Sequence, residues 1–548
     1  MSERDSVSSL LAAAMAEQGV TAMFGILGDA NIAFMSSMSR QPETRTVHTR
    51  HESAAVSMAG GHARTTGLPA LACVTSGPGL THATTSVVAA CRARLPMVVY
   101  AGDTSSGGGF MGGLQEFDQR GFAELTGARF LRYEAGQDPA EVVATAVRGT
   151  VEAGVPVLLS VPVDLAESPV AAVASPPKPT VAADPAGPAR PEWVAEATDR
   201  LRAALAGARR PVLVVGAGAV RADAVERVRV LARRVGAHLA VTYRARGALG
   251  DDPRQIGIVG ALAHQADQAV LDAADLLVGF GADLEGFGAF GGRLFGGARL
   301  AVGEEAAAGR AASVRAAEEL RAVLDTVLAA DPDSGTRAAD LPPAPSRDEA
   351  VRSDFAELAE VADDPGRLDP RVLMAEVDKV LPHDTTVVIG AGHFWSFPIM
   401  YLPARERRFL YSIEFGSIGL ALATGLGAAV AEPGRPVLVV EGDGGALMGV
   451  QELETAARSG IPVTLLVLND GALGAEYHKL AGKGFDPAEA AYSDVDFAAM
   501  GRVMGVHGAT VTAPDQVAAA LSGSEPTRVV DARVSRRVTS RWYRRMYL

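Results

Sequence analysis

Two buried strands, each followed directly by an acidic turn, constrain the fold of this chain more than any other feature. Residues 437–443 read VLVVEGD and residues 463–470 read VTLLVLND, with a helix-forming segment between them. Strand–helix–strand units form parallel sheets, and open α/β sheets bind ligands at the carboxyl ends of their strands. We therefore expect Asp443 and Asp470 side by side at one edge of a sheet.

This pair of acidic turns suits a divalent cation that carries a diphosphate. Mg²⁺ prefers hard oxygen ligands and usually shares them with substrate phosphates. The backbone amides of Gly442, Gly444 and Gly445 are bare enough to approach phosphate oxygens. The alternative is that Asp443 and Asp470 only form turns, as aspartate does in many loops. Their matched positions after two apolar strands favour the metal site.

Composition and charge narrow the class of protein. The 548 residues are enough for three or four domains at about 150 residues each. A net charge of −13 argues against nucleic acid as a partner. The start of the chain does not resemble a secretory signal, and the apolar run 418–431 is shorter than the ~20 residues of a membrane span. We expect a cytoplasmic protein with no membrane partner, in which Cys73 and Cys91 are buried free thiols.

Alternating helix and strand patterns predict an α/β fold of three doubly wound domains with mainly parallel sheets. The predicted divisions are 1–170, 191–330 and 366–535, followed by a basic tail at 536–548. The Pro-rich stretches 171–190 and 331–365 lack an apolar period and are predicted to be connectors. The tail either closes over a site or is a solvated end, and the sequence favours neither.

The central division contains a Gly-rich turn, VVGAGA at residues 214–219, which invites a dinucleotide-binding interpretation. The complete fingerprint needs a third glycine, and Arg221 stands at that position. A turn that only joins a strand to a helix is therefore the better interpretation.

Glu52 is a carboxyl group whose role the residues alone leave open. It follows His51 and begins a helix-forming stretch of small apolar residues. A carboxylate at a helix amino terminus is usually an exposed partner of the helix dipole. Burial among the apolar neighbours would instead raise its pKa and let it share a proton.

Four segments resemble the thiamine-diphosphate enzymes of the pyruvate decarboxylase and acetohydroxyacid (acetolactate) synthase group. They are RHESAAVSMAGGHAR, VTSGPGLTHATTSVVAA, EFGSIGLALATGLGAAVA and the pair GDGG and LND. The resemblance covers nearly the whole chain, in the family's order of pyrimidine-binding, central and diphosphate-binding domains. It implies thiamine diphosphate and Mg²⁺ as cofactors. It also implies a homo-oligomer, a dimer or a dimer of dimers, with active sites between subunits.

The resemblance assigns cofactor contacts to named positions. Glu52 matches the glutamate that hydrogen-bonds the pyrimidine ring, and Gly416 matches the residue whose carbonyl accepts from the ring's amino group. Ile418 matches the bulky residue that holds the cofactor bent. The other implied contacts are Gly392, His393, Gly442, Asp443, Gly444, Gly445, Asp470, Leu473 and Gly474.

The metal ligands implied by the resemblance are Asp443, Asp470 and the backbone carbonyl of Ala472. The family signature is a GDG turn followed at fixed spacing by two asparagines. Asn469 matches the first asparagine and Asp470 the second, which is the ligand. The change from asparagine to aspartate keeps an oxygen ligand and adds a charge.

Three further positions bear on the reaction. Asp29 in GILGDAN and Glu476 match active-site acids of the decarboxylases, and a solvated loop acid is the alternative for each. Gln115 matches the Gln-Glu of the synthases, in a stretch (108–119) without the adjacent His pair of the pyruvate decarboxylases. The resemblance thus implies decarboxylation of a 2-oxo acid and transfer of the acyl carbanion to a carbonyl acceptor, as in acetolactate synthase-like carboligation.

Two alternatives stay open. One is a simple 2-oxo acid decarboxylase that releases an aldehyde. The other is an oxidoreductase that uses a flavin or nicotinamide in the central domain. Flavin adenine dinucleotide (FAD) is doubtful as a cofactor, because residues 281–295 lack the Arg-Phe-Asp-Asp-Arg run of the synthases.

Overall fold

The computed structural model describes residues 6–107, 113–169, 189–285, 292–303, 314–329, 343–356 and 364–548. Over these residues the named strands form three separate sheets, and all their pairings are parallel. Parallel strands need helical crossovers, which cover both faces of a sheet. The prediction of an α/β fold with parallel sheets is confirmed. Most of the predicted connector 171–190 lies outside the described residues.

The first sheet has the strand order β2-β1-β3-β4-β6-β5. Its strands are β1 (Ala22–Gly25), β2 (Arg45–His48), β3 (Ala70–Val74), β4 (Met97–Asp103), β5 (Arg129–Arg132) and β6 (Val157–Pro162). Its helices are α1 (Val7–Glu17), α2 (Ile32–Ser39), α3 (Glu52–Thr66), α4 (Pro78–His82), α5 (Thr84–Ala93), α6 (Gln119–Thr126), α7 (Pro139–Ala153) and α8 (Val163–Ala166). A serine just before a segment with helical apolar spacing is expected to cap the helix. Ser6 does cap α1, and its Oγ accepts a hydrogen bond from the amide of Ser9 at 3.3 Å.

The second sheet has the order β11-β10-β7-β8-β9. Its strands are β7 (Pro211–Val215), β8 (His238–Val241), β9 (Gln255–Ile258), β10 (Leu276–Phe280) and β11 (Ala298–Val302). Its helices are α9 (Pro191–Gly207), α10 (Ala217–Arg221), α11 (Val225–Val235), α12 (Gln265–Ala273) and α13 (Val314–Ala329). The amides of Gly216 and Gly218 each donate to a backbone carbonyl, of Phe280 and Gly281, at 3.0 Å. The Gly-rich turn is therefore closed against the neighbouring strand.

The third sheet has the order β13-β12-β14-β15-β17-β16, which repeats the topology of the first. Its strands are β12 (Thr386–Gly390), β13 (Arg408–Ser412), β14 (Val437–Gly442), β15 (Val463–Asn469), β16 (His507–Val511) and β17 (Thr527–Arg533). Preceding it is α14 (Arg347–Ala356), and its own helices are α15 (Pro370–Val380), α16 (Ser396–Tyr401), α17 (Ala421–Ala431), α18 (Asp443–Gly449), α19 (Glu452–Ser459), α20 (Gly474–Gly482), α21 (Phe497–Val503), α22 (Val517–Leu521) and α23 (Arg541–Tyr547). In the described part of the chain, no helix combines the length and apolar character needed to cross a membrane.

We refer to the parts of the chain that hold these sheets as the first, central and third domains. The first and third domains meet where α3 packs against α17. A Cβ atom added to Gly61 would lie 1.9 Å from the carbonyl oxygen of Thr424, and one added to Gly427 would lie 1.9 Å from that of Met58. The two helices therefore touch backbone to backbone, which fixes the position of one domain on the other.

Candidate active site

A cavity of about 630 Å³ lies at the carboxyl ends of β12, β13, β14 and β15. The strand order reverses between β12 and β14, and open α/β sheets bind ligands at such a switch point. The predicted positions that line this cavity are Gly392, His393, Gly416, Ile418, Gly442, Asp443, Gly444, Gly445, Asp470, Ala472, Leu473, Gly474 and Glu476. The structure thus brings together all the sequence-predicted positions of the third domain.

The two acidic turns meet at one end of the cavity. Asp443 is 2% exposed, and its carboxylate accepts from the amides of Gly444 at 3.0 Å and Gly471 at 2.9 Å. Burial raises the pKa of Asp443; burial and the charge of Asp443 together raise the pKa of Asp470. A buried Asp443 beside a half-buried Asp470, whose ionisation the charge of Asp443 disfavours, forms a site that a cation would stabilise.

Tyr492 links the two turns and was not predicted from the sequence. Its hydroxyl lies 3.2 Å from the carbonyl oxygen of Ala472 and is also within hydrogen-bonding reach of the carboxylate of Asp443, so its single hydrogen can go to either oxygen. Two of the three predicted metal ligands, Asp443 and the carbonyl of Ala472, therefore both lie close to the hydroxyl oxygen of Tyr492. This donor set, made only of oxygen atoms, fits Mg²⁺.

The backbone beside the acidic pair is free of side chains for a steric reason. A Cβ atom at Gly442 would lie 2.8 Å from the ring of Phe394, and one at Gly444 would lie 2.7 Å from Cδ2 of Leu473. A Cβ atom at either position would force a neighbouring side chain to move, so glycine is favoured and backbone atoms form the cavity wall there. A bare turn of this kind is suited to the close approach of phosphate oxygens.

His393 lies on the same wall and is held by the tail. Its Nε2 accepts a hydrogen bond of 3.0 Å from the backbone amide of Ser540. Burial and the neighbouring ring of His478, whose centroid is 4.4 Å away, lower the pKa of His393 well below its ordinary value. The ring is therefore neutral, and its single hydrogen is on Nδ1.

The basic tail contributes part of α23 to the cavity wall, so it is not only a solvated end. Trp542, Tyr543 and Tyr547 of α23 are part of the cavity wall. The hydroxyl of Tyr543 donates to the carbonyl of Ala475, and Nζ of Lys479 lies 4.8 Å from the ring centroid of Tyr547.

The predicted residues of the first domain lie apart from this cavity. Glu52 is at the start of α3, with its side chain 12% exposed and its Oε2 3.2 Å from Nδ1 of His82. Gln115 accepts from the hydroxyl of Ser76 at 2.7 Å, and Asp29 is exposed on the loop after β1. All of them follow strands of the first sheet at its own switch point, between β1 and β3.

The distance between the two groups of residues follows from α3. Near its carboxyl end, Arg64 donates to Glu414, a residue of the cavity wall, at 2.9 Å. From Glu52 to Arg64 the helix rises about 18 Å, at about 1.5 Å per residue. Glu52 therefore lies well away from this contact, and it is not part of the cavity wall in its own chain.

Sequence reasoning missed several residues of the cavity wall. Tyr243 and Arg244 reach it from the turn after β8 in the central domain, and Trp542, Tyr543 and Tyr547 reach it from the tail. The turn after β8 is a polar segment at the carboxyl end of an apolar strand. This is the same pattern that predicted Asp443 and Asp470 as site residues. The residues of α23 carry no such local signal.

Comparisons with known proteins agree with this arrangement. Models of the thiamine pyrophosphate enzymes match their N-terminal TPP-binding domain to residues 5–122, their central domain to 198–295 and their C-terminal TPP-binding domain to 388–528.

The chain is also similar to several curated proteins. It is 27% identical to a sulfoacetaldehyde acetyltransferase of Castellaniella defragrans, over 96% of this chain and 90% of that protein. It is 29% identical to an acetolactate synthase of Mycobacterium bovis, over 84% and 75% respectively. It is 29% identical to a protein of Pseudomonas aeruginosa named "probable 2-ketoarginine decarboxylase", over 90% and 87%.

Proposed function

We propose, from the premise that this chain belongs to the thiamine pyrophosphate enzyme family, that it decarboxylates a 2-oxo acid and transfers the acyl carbanion to a carbonyl acceptor. Membership rests on the three domain matches, which follow the family's order along the chain. The named relatives are an acetyltransferase, a synthase and a decarboxylase, and this range of reactions supports an enzyme dependent on thiamine diphosphate.

The observation that carries the proposal is the convergence of Asp443, Asp470 and Ala472 beside the bare glycine turn. We propose that these three residues bind Mg²⁺ through their oxygen atoms. The bare turn at Gly444 and Gly445, with His393, then binds the diphosphate; the amide of Gly444 already donates to Asp443, which leaves the amide of Gly445 as the donor proposed for the phosphate. When bound, thiamine diphosphate supplies the carbon nucleophile and the electron sink for decarboxylation.

The other end of the cavity is proposed to orient the cofactor. Gly416 and Ile418 line it on the turn after β13. Phe415 in the same turn has φ of +65°, a conformation that costs free energy for a residue with a Cβ atom. The surrounding structure maintains this turn, and we propose that it presents the carbonyl of Gly416 to the pyrimidine.

We propose that Glu52 of a second protomer completes the site. Glu52 lies about 18 Å of helix away from the contact of Arg64 with its own cavity. Large apolar side chains are exposed around both half-sites: Leu27 at 53%, Ile32 at 49% and Leu114 at 74% in the first domain, and Phe415 at 53%, Leu447 at 39% and Met448 at 58% in the third. Burying them in a homodimer or a dimer of dimers would remove apolar surface from water.

Carboligation is preferred because Gln115, fixed by Ser76, offers no ready proton at the reacting carbon. Simple decarboxylation is the second candidate, since the rings of His51 and His82 stack at 5.3 Å beside Glu52 and could supply a proton. Asp29 and Glu476 are proposed to handle protons in either reaction, and their exposure in one chain leaves them accessible to a substrate.

Product analysis separates these reactions. The protein is incubated with Mg²⁺, thiamine diphosphate and a panel of 2-oxo acids that includes pyruvate, and the products are followed by NMR. A C–C-coupled hydroxyketone supports carboligation, whereas an aldehyde alone favours the second candidate. Two variants test the site itself: Glu52→Gln should lose turnover but retain bound cofactor, and Asp443→Ala should lose Mg²⁺-dependent cofactor binding in calorimetry. Full activity of Glu52→Gln would refute the assignment.

A further inference from the structure

We propose that Arg244 binds the carboxylate of the 2-oxo acid substrate, and that Glu414 and Arg64 are the positioning residues that hold it. The inference rests on the proposed function and adds the group that recognises the substrate's charge. It assigns a substrate contact to the central domain.

Arg244 is carried into the cavity by a rigidly placed turn. The turn Tyr243–Ala245 follows β8, and the carbonyl of Tyr243 accepts from the hydroxyl of Tyr411 at 2.6 Å. The ring of Tyr243 packs edge to face against Trp395 at 5.4 Å and Tyr411 at 5.2 Å. These contacts anchor the central-domain turn on the third domain, so the position of Arg244 in the cavity wall is fixed by packing.

The guanidinium of Arg244 is oriented by a buried carboxylate. Glu414 accepts from Nη1 of Arg244 at 3.1 Å through one oxygen and from Nη2 of Arg64 at 2.9 Å through the other. The side chain of Glu414 is 2% exposed. Burial raises its pKa, but the charges of Arg64 and Arg244 outweigh burial and hold it below its ordinary value. Glu414 is therefore ionised between two arginines.

Stability alone does not account for this triad. Moving three charges out of water costs free energy that their attraction often fails to offset, so a buried ion network is weak evidence of a stabilising role. Glu414 also directly precedes Phe415, whose φ of +65° is unfavourable. Charge burial and backbone strain coincide at the wall of the cofactor cavity, which is where functional constraint is expected.

The location and chemistry of Arg244 point to a carboxylate. Its side chain is 18% exposed and faces the cavity. A planar guanidinium matches a carboxylate in geometry and keeps its charge when buried. Among the described residues of the wall, the other lysine or arginine is Lys479, which is 37% exposed, lies 3.8 Å from Glu476 and packs on Tyr547. Lys479 thus packs against the tail, whereas the guanidinium of Arg244 is oriented by Glu414 at the cavity wall.

Binding of an acid is compared with binding of its uncharged methyl ester. Each 2-oxo acid of the panel and its ester is titrated by calorimetry into the protein loaded with Mg²⁺ and thiamine diphosphate, in a Glu52→Gln background that blocks turnover. The Glu52→Gln protein with no further change is the parent, and the probe is the acid that this parent binds most tightly. Arg244→Met should weaken binding of that acid at least tenfold and leave binding of its ester unchanged. Arg244→Lys keeps the positive charge but lacks the paired N–H donors of the guanidinium, so it should lose an intermediate amount of affinity for the acid.

Two matched variants sharpen the result. Arg92 lies 5.3 Å from the ring of Phe415 but outside the cavity wall, so Arg92→Met makes the same change of charge nearby and should have no effect. Lys479→Met should leave the preference for acid over ester intact. The proposal is overturned if Lys479→Met abolishes that preference, if Arg244→Met weakens acid and ester equally, or if the parent prefers none of the acids to its ester.

The same titrations without cofactor separate this inference from the proposed function. If the protein does not bind thiamine diphosphate, the proposed function fails. A preference for acid over ester that depends on Arg244 in the unloaded protein would still support the anion site. Loss of that preference in a protein that does bind the cofactor refutes the role of Arg244 alone.

Discussion

The backbone amide of Ser540 donates a 3.0 Å hydrogen bond to Nε2 of His393. Because an amide can only donate, this nitrogen must be unprotonated, and the neutral ring carries its hydrogen on Nδ1. The tail therefore selects one tautomer of a residue on the cavity wall, in addition to lining the cavity.

Replacing Ser540 by proline should weaken cofactor binding. Proline removes the amide hydrogen, while the φ of −64° at Ser540 suits the proline ring. We expect the Kd for thiamine diphosphate in the presence of Mg²⁺ to rise about tenfold, the equivalent of one hydrogen bond. Calorimetry measures this change. Ser540→Ala is the control: it removes the cap that Tyr543 uses at 3.2 Å but keeps the amide, so it should leave the Kd nearly unchanged. Equal effects of both variants would contradict the tautomer argument.

Two inactive variants should restore activity when mixed. In a Glu52→Gln/Asp443→Ala hybrid dimer, one site carries both defects and the other carries neither. Random reassortment of protomers in a symmetric dimer should therefore recover about a quarter of the wild-type sites. The mixture is refolded or incubated at low concentration, and turnover is compared with each variant alone. No recovery despite subunit exchange would show that each site lies within one chain.

Gly61→Ala should destabilise the packing of α3 on α17. Its Cβ atom would meet the carbonyl of Thr424 at 1.9 Å, and the rigid backbone cannot move aside. Overpacking of this kind costs about 1–3 kcal/mol, measured by urea unfolding. Gly60→Ala is the matched control, because its Cβ atom would meet only the flexible ends of Leu95 at 3.1 Å and Met97 at 3.7 Å, and alanine favours the helix. Similar losses for both would refute the backbone contact.

Asp267→Asn should change how stability depends on pH. Burial raises the pKa of Asp267 to about 7, with Arg347 and Arg545 opposing the shift and Asp354 adding to it. In the unfolded chain the carboxyl loses its proton near pH 4, so between pH 4 and 7 the folded protein binds more protons and the free energy of unfolding falls as pH rises. The variant with a neutral amide does not lose this stability, so its free energy of unfolding should rise relative to that of the wild type by up to about 1.4 kcal/mol per pH unit in this range. Urea unfolding at several pH values tests this, with the exposed Asp272→Asn on the same helix as control. A constant difference between Asp267→Asn and wild type would contradict it.

The third domain's part of the site could be predicted from the sequence because parallel sheets bind ligands at the carboxyl ends of their strands. Asp443 and Asp470 follow two apolar strands, and parallel strands bring such turns to one edge. Glu52 was left open because its burial depends on residues far along the chain. The short strands β5 and β9 could not be predicted from the sequence because their half-buried residues give no continuous apolar run.

Contacts between domains were beyond the reach of local patterns. Helix α14 lies inside a segment predicted as a connector, yet its Asp354 accepts from Nδ1 of His264 at 2.7 Å and from Tyr401 at 3.0 Å. Tyr492 and Arg244 likewise reach the cavity through tertiary packing. No spacing within one segment specifies which turn of another domain will approach it.

The turn Tyr243–Ala245 has a consequence for how new substrates could be acquired. The surfaces proposed for the metal ion and the diphosphate belong to the third domain, and Glu52 of the first domain is proposed to complete the site. The central domain contributes to the same cavity through a short turn on a separate sheet. We therefore expect that substrate range can diverge by exchange of that turn while the residues proposed to bind the cofactor are inherited unchanged. The turn is then the first place to direct a library of variants.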